Sequence, residues 1–576
     1  MKKLAAVALT VGLATASCSG GHGGGSALPG AATQPHANAR TARAAAPAGW
    51  ANTATQVSSL LGATDQGPLA ATKPLTVRLG LALHNVPQLQ AAIAAGQTIA
   101  PAQFAATYAP TAAEAQQVTS YLQSQGLSNV TVAPNRLLVS ATGTAAQVAA
   151  AFDTTLHAFT QNGASRYANT TPAYVPAALD GIVVAVLGLN DVPAFKPKLR
   201  VGAATQAAPT PCLIVATAGC VRSYAPADYW RAYDVGSVPA ASGVNVAVMA
   251  QGEVSTSIAD FRTNEQADGL SQVPVVVKTV GAPSSDTAGA DEWTLDMIAS
   301  SGMAGSVSTL YLYDTTTLSD ADIAAEYNAW VSDNLAPIGN SSFGGCEIGP
   351  VLDGSLAVLD QILMQGASQG QSMFASSGDS GSYCSVGTPN GVPAGVPEAE
   401  YPAVSPYVVA VGGTTLLTKA AGAYQGEATW YAGGGGISTF ESAPAWVSGV
   451  QPAGAAGRGV PDIAMDGDPN TGMNIYTTSL GWVSIGGTSL SSPLAAGVWA
   501  RMLQSHGALG FASPRLYREF TATAAGTPQI GPPPTQPHGG YHDVLSGANG
   551  AFSALPGYDY TTGLGTLDVS ATNAAL

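Results

Sequence analysis

From residue 224 onward, about 350 residues alternate short apolar runs with longer stretches of helical spacing. Residues 244–250, 275–280, 308–312, 372–375 and 407–411 are short, mostly apolar runs, candidates for buried strands. Residues 323–334 and 354–365 have the length and periodicity of helices. Strands of that kind separated by helices specify an α/β domain with a doubly wound, mainly parallel sheet. Hydrophobic residues make up 46 % of the chain, enough to bury a core of that size. Charged residues are only 10 %, against about 25 % in a typical soluble protein, and the net charge is −15. So few cations make a poor partner for phosphate backbones, which excludes nucleic-acid binding. Few carboxylates also leave little to protonate, an arrangement suited to acid.

The first 222 residues divide differently. Residues 1–18 read as a secretory signal, with Lys2 and Lys3 ahead of an apolar run over 4–13 and small residues after it. Ala14-Thr15-Ala16 fits ordinary signal cleavage, whereas Thr15-Ala16-Ser17-Cys18 resembles a lipobox that would put a lipid anchor on Cys18. No other apolar run approaches the ~20 residues of a spanning helix, so the mature chain is expected to be exported without a membrane span. Residues 19–74, rich in Gly, Ala and Ser, read as a disordered tether. Over 75–190 a compact α+β unit is expected, of split-βαβ, ferredoxin-like type. Its strands are 75–83, 130–132, 136–141 and 156–160, with Pro134-Asn135 as a turn. A capping box Thr111–Glu114 opens one helix, and Thr144 opens another over 145–152. Residues 191–222, rich in Pro, Ala and Thr, read as an exposed, cleavable linker. Beyond Cys18 the cysteines form an even set, as in exported proteins. The short spacing suggests a Cys212–Cys220 loop, which leaves Cys346–Cys384 as the second bridge among three conceivable pairings.

Three segments carry chemistry. In Gly486-Gly487-Thr488-Ser489-Leu490-Ser491-Ser492-Pro493 a serine is delivered at a Gly-rich turn into a helix N-terminus, beside backbone N–H groups suited to an oxyanion. That segment resembles the nucleophile segment of subtilisin-like peptidases. The seven histidines are residues 22, 36, 84, 157, 506, 538 and 542, so none lies between 158 and 505, where a subtilisin would carry its base. Asp291-Glu292-Trp293-Thr294-Leu295-Asp296 offers an alternative base. Glu292 and Asp296 lie at i and i+4 on one helix face, close enough to share a proton. The third segment, Ser376-Ser377-Gly378-Asp379-Ser380-Gly381, mimics a chymotrypsin nucleophile but lacks the histidine setting that chemistry needs.

Together these segments resemble the sedolisin family of serine-carboxyl peptidases, kumamolisin-like members in particular, from about residue 75 to the end. Further markers are Tyr401-Pro402-Ala403-Val404-Ser405-Pro406, Val411-Gly412-Gly413-Thr414-Thr415, Gly434-Gly435-Gly436-Ile437-Ser438 and Val460-Pro461-Asp462-Ile463. The resemblance implies a subtilisin-like catalytic domain over 223–576 and an activation prodomain over 75–190 that acts as an intramolecular inhibitor. It implies Ser489 as nucleophile, Glu292 as general base, Asp296 as the acid orienting it, and Asp379 as the oxyanion-hole acid. It also implies one structural Ca2+ held by Asp543, Asp559 and the carbonyls of Val544, Leu555 and Gly557, an all-oxygen set fit for a hard cation. Phe343 stands where many members have Trp. The expected protein is a secreted, monomeric, acid-active endopeptidase made as a self-processing zymogen and acting on proteins or peptides. The alternative is a catalytically inactive binding lipoprotein on the same scaffold.

Overall fold

Each of the five apolar runs forms a strand of one sheet. The computed structural model describes residues 45–57, 62–193, 195–205, 212–214, 220–384, 395–452, 455, 457–524 and 539–576. The signal segment with Cys18, and the tether up to residue 44, lie outside them. Across the sheet the strands run Val275–Val280, Val307–Thr315, Ala241–Gln251, Ile338–Ser341, Ser372–Ser376, Val408–Thr418, Ile463–Asp466, Thr566–Leu567 and Tyr541–His542. All neighbouring pairs along this path are parallel except the last. Of the strands on this path the first in chain order, Ala241–Gln251, sits between the third and the fourth, so the winding direction reverses beside it. In doubly wound folds the crevice outside the carboxyl ends of the strands at such a switch is where ligands bind. The helices expected over 323–334 and 354–365 form as Asp320–Asp333 and Ser355–Ser368.

Two helices in the core carry the chemistry-bearing residues. Thr488–His506 is buried from Thr488 to Met502 and packs against Ala290–Ala304, itself buried from Glu292 to Ala304. Small residues permit the approach: a Cβ on Gly497 would lie 2.6 Å from the carbonyl oxygen of Ser300. Both predicted disulfides form, Cys212–Cys220 and Cys346–Cys384.

The N-terminal unit has the expected ferredoxin-like sheet, with one strand corrected. Its antiparallel order is Ser128–Val132, Leu138–Thr144, Pro74–Leu81 and Val183–Leu187, so the fourth strand is Val183–Leu187. The expected strand over 156–160 does form, as Leu156–Gln161, but pairs with Ala164–Asn169 and Thr64–Pro68 in a second sheet. The tether reading is also corrected. Within 19–74, Trp50–Asn52 pairs with Tyr174–Pro176, and Thr64–Pro68 joins that second sheet. The Thr111–Glu114 capping box is present, and Thr144 caps its helix with Gln147 as a second box. At the Pro134-Asn135 turn, Asn135 is buried against the larger domain. Asn135 Nδ2 donates to Asn328 Oδ1 at 2.7 Å and to Gln365 Oε1 at 2.8 Å, while Arg78 pairs with Asp322 at 3.1 Å.

The 191–222 segment is not a free linker where it is described. Lys196–Pro197 pairs antiparallel with Phe343 and Gly344, and Arg200–Ala204 pairs antiparallel with Gly481–Gly486. Between these two pairings the chain passes the N-terminus of the Thr488–His506 helix. Residues 206–211 and 215–219 lie outside the described residues.

Candidate active site

Ser489 occupies the first turn of its helix, where backbone N–H groups have no partner within the helix. Its N–H donates at 3.3 Å to the carbonyl oxygen of Lys198, in the segment that crosses the cleft between the Lys196–Pro197 and Arg200–Ala204 strands. Four residues on, Pro493 has no N–H to offer the Ser489 carbonyl. The Ser342 hydroxyl comes within 3.4 Å of that carbonyl and donates to Asp296 Oδ1 at 2.5 Å. The Ser489 hydroxyl in turn donates to the Ser342 carbonyl at 3.2 Å. Asn340 Nδ2 donates to Ser342 Oγ at 3.0 Å and its Oδ1 accepts from Ser492 at 2.7 Å. Ser342 thus bridges the serine and the acid pair. Neither Ser342 nor Asn340 was singled out from sequence; the one available signal was their place just before Phe343, in a Ser-Ser-Phe-Gly-Gly run.

Glu292 and Asp296 are 2 % and 0 % exposed, so nothing hydrates their charges. Burial, and then the neighbouring Asp296, push the Glu292 carboxyl well above its usual range; the nearby Ser489 hydroxyl pulls the other way. Burial likewise raises Asp296, offset in part by Ser342 and Asn340. Both Glu292 oxygens are buried without a hydrogen bond, which leaves them free to accept from Ser489 once its hydroxyl turns from the Ser342 carbonyl. Two neighbouring carboxyls buried in this way do not both ionise readily. Beside Glu292 in sequence, Trp293 meets Phe343 edge to face at 6.1 Å, and Tyr327 stacks on Phe343 at 6.3 Å.

Asp379 follows the Ser372–Ser376 strand. Its Oδ1 accepts from the Thr488 N–H and hydroxyl, both at 2.8 Å. Its Oδ2 has no hydrogen bond and lies 3.2 Å from Arg200 Nε. Burial pushes this carboxyl up to about 6 against the pull of Thr488 and Arg200. Gly487, at φ 97°, has no side chain; a Cβ there would lie 2.8 Å from Asp379 Oδ2 and 1.9 Å from the Lys198 carbonyl oxygen. The space it leaves admits that carbonyl to the Ser489 N–H with Asp379 Oδ2 bordering the same space, a setting able to polarise a peptide carbonyl.

Residues 61–192 match the activation domain of pro-kumamolisin, and residues 275–553 match the subtilase family. Sedolisin from Pseudomonas sp. (strain 101) is 37 % identical over 504 residues, which cover 83 % of this chain and 81 % of that protein. The chain belongs to the sedolisin family. Xanthomonalisin from Xanthomonas sp. (strain T-22) is 33 % identical over 561 residues, covering 88 % of this chain and 66 % of that protein. The solved structure of Pseudomonas sedolisin, a serine-carboxyl proteinase complexed with two molecules of pseudo-iodotyrostatin, superposes with a TM-score of 0.57 at 35 % identity. It covers 62 % of this chain and 98 % of that one. This sedolisin-family chain is therefore a serine-type peptidase with an activation prodomain and a subtilisin-like catalytic fold. No described helix is long and apolar enough to cross a membrane.

The residues expected to hold calcium cluster near the C-terminus. Asp543 Oδ2 accepts from the Gly557 N–H and Asp559 Oδ2 from the Leu555 N–H, each at 2.9 Å, so the 555–557 loop is gathered at two carboxylates. Burial first, and then the charge of Asp559, push Asp543 up to about 6. Asp543 and Asp559 lie close enough for one charge to act on the other, and carboxylate oxygens are the hard donors that suit Ca2+.

Proposed function

We propose that this chain is the zymogen of an exported, acid-active serine-carboxyl endopeptidase that works through an acyl-enzyme. The observation that carries the reading is the bridge at Ser342, which ties Ser489 to Asp296 by hydrogen bonds beside a buried Glu292 whose two oxygens have no other partner. In the first step the Ser489 oxygen attacks the peptide carbonyl carbon and its proton passes to Glu292. The carbonyl oxygen gains negative charge, facing the Ser489 N–H and a protonated Asp379. The C–N bond then breaks and the leaving nitrogen takes the proton from Glu292. A water molecule repeats the sequence on the ester: its proton goes to Glu292, its oxygen to the carbonyl, and the proton returns to Ser489. Asp296 shares its proton with Glu292 and holds it toward the serine. A carboxyl pair does this in acid, where an imidazole with a pKa near ~6.5 is already protonated.

Asp543, Asp559 and the carbonyls of Val544, Leu555 and Gly557 would hold one calcium ion, whose charge would tie together the C-terminal loops. The prodomain docks across the catalytic domain, and the segment after it fills the cleft, which supports a role as intramolecular inhibitor. Acidifying the purified full-length chain should release a shorter mature chain, read by intact mass, and Ser489→Ala should abolish that conversion. A Ser489→Ala protein that matures alone at the wild-type rate would contradict self-processing.

A further inference from the structure

The peptide lying across the site is the chain's own, and its register singles out one bond. Lys196 and Pro197 pair with Gly344 and Phe343 on one side of Ser489, and Arg200 and Val201 pair with Gly486 and Ile485 on the other. Lys198 lies between these pairings. Its N–H donates to the Ser342 carbonyl at 3.0 Å, and its carbonyl oxygen accepts from the Ser489 N–H. That oxygen occupies the position where an oxyanion would form, so the bond presented to the Ser489 hydroxyl joins Lys198 to Leu199.

The Lys198 side chain is only 11 % exposed, and its ammonium forms an ion pair with the Glu400 carboxylate, itself 3 % exposed. Glu400 is fixed there by the same sheet: Glu400–Tyr401 pairs with Gly345 and Cys346, in the strand whose other edge holds Lys196–Pro197. The pocket exists because glycines line it. A Cβ on Gly344 would lie 3.3 Å from Glu400 Oε2 and 3.6 Å from Lys198 Cε, and one on Gly378 would lie 2.5 Å from Glu400 Oε1. A buried carboxylate at the end of a glycine-lined slot attracts a long basic side chain and is left unpaired by any other.

We infer that Lys198–Leu199 is the first bond cut in maturation, and that Glu400 makes the mature enzyme select a basic residue on the acyl side of the bond it hydrolyses. The inference rests on the peptidase reading above and adds its substrate class. Cleavage follows the steps already given. Ser489 takes the Lys198 acyl group, the Leu199 nitrogen leaves with the proton, and water releases Lys198 as the new C-terminus.

Two measurements test it. A mass-spectrometric time course of the acidified full-length chain should give Leu199 as the first new N-terminus; an earliest cut at another bond overturns the assignment. The acid-matured enzyme should hydrolyse a peptide with Lys at the acyl position with kcat/KM at least tenfold above the same peptide with Gln. Glu400→Gln should lower that ratio at least tenfold. Equal wild-type rates, or a ratio unchanged by the substitution, overturn the role of Glu400. Should Glu400→Gln not fold, Lys198→Glu in the full chain replaces it: conversion should slow at least tenfold, and conversion at the wild-type rate counts against the inference. Hydrolysis of no peptide at all defeats the peptidase reading, whereas hydrolysis without a basic preference defeats this inference alone.

Discussion

Ser342 shows what a single hydroxyl does in this site. It donates to Asp296 Oδ1, and its backbone carbonyl accepts from Ser489, so one residue orients both ends of the proton path. Removing the hydroxyl leaves Asp296 buried with one partner fewer, which in an apolar setting costs about 1–3 kcal/mol. We expect Ser342→Ala to lower kcat about tenfold or more with little change in KM, and Ser342→Thr to recover most of it; steady-state kinetics on one peptide checks both. Glu292→Gln should lower kcat by about a thousandfold or more, because an amide cannot take the serine proton. The residues proposed for chemistry were legible because each sits in a distinctive local pattern: Ser489 in a Gly-Thr-Ser-x-Ser-x-Pro turn, Glu292 and Asp296 four apart on a helix, Asp379 after a buried strand. Ser342, Asn340 and Glu400 were not. Their roles depend on partners up to about two hundred residues away, and nothing in the neighbouring sequence marks a serine, an asparagine or a glutamate for such a partner.

Among the elements, the hairpin turn at Pro134-Asn135 is one of the prodomain's polar anchors, beside the Arg78–Asp322 ion pair. Asn135 is 8 % exposed and satisfies Asn328 and Gln365 in the catalytic domain. Asn135→Ala would take a donor from Asn328 Oδ1 and from Gln365 Oε1, so conversion of the zymogen should begin at a pH about half a unit or more higher than in the wild type; densitometry of processing across a pH series reads it. The C-terminal loop makes a second prediction. Chelating calcium should lower Tm, and Asp559→Asn should remove that dependence, as measured by thermal unfolding with and without added Ca2+. Periodicity placed most strands correctly because it reports how a segment is buried. It does not report the partner: residues 156–160 and Val183–Leu187 are both strands, and only tertiary pairing decides which one completes the four-stranded sheet. The segment over 191–222 was read as a loose linker for a related reason. Its strands are held by the cleft edges at Phe343–Cys346 and Gly481–Gly486, so the information lies in those partners and not in its own Pro- and Ala-rich sequence.

For the molecule as a whole, low charge is joined by buried acids whose affinity for a proton burial raises. Burial pushes Glu347 and Glu398 up to about 7, and Asp314 and Asp379 up to about 6. Each carboxyl therefore binds its proton more tightly folded than unfolded, where its pKa is near ~4. The stability they contribute is complete below about pH 4 and is lost as pH rises through 6 to 7. Ser489→Ala zymogen, which should not process itself, should accordingly melt at least about 5 °C higher at pH 4 than at pH 7.5 by calorimetry. The same sign governs catalysis. Asp379 can donate to the oxyanion only while protonated, and above about 6 it turns into a repelling charge. The most direct test of carboxyl-driven catalysis is the pH dependence of kcat/KM for the acid-matured enzyme on one uncharged peptide. The account predicts a maximum below pH 6 and a fall approaching tenfold per unit above it; a rate that climbs through pH 7 to a neutral plateau, as an imidazole base gives, would contradict it.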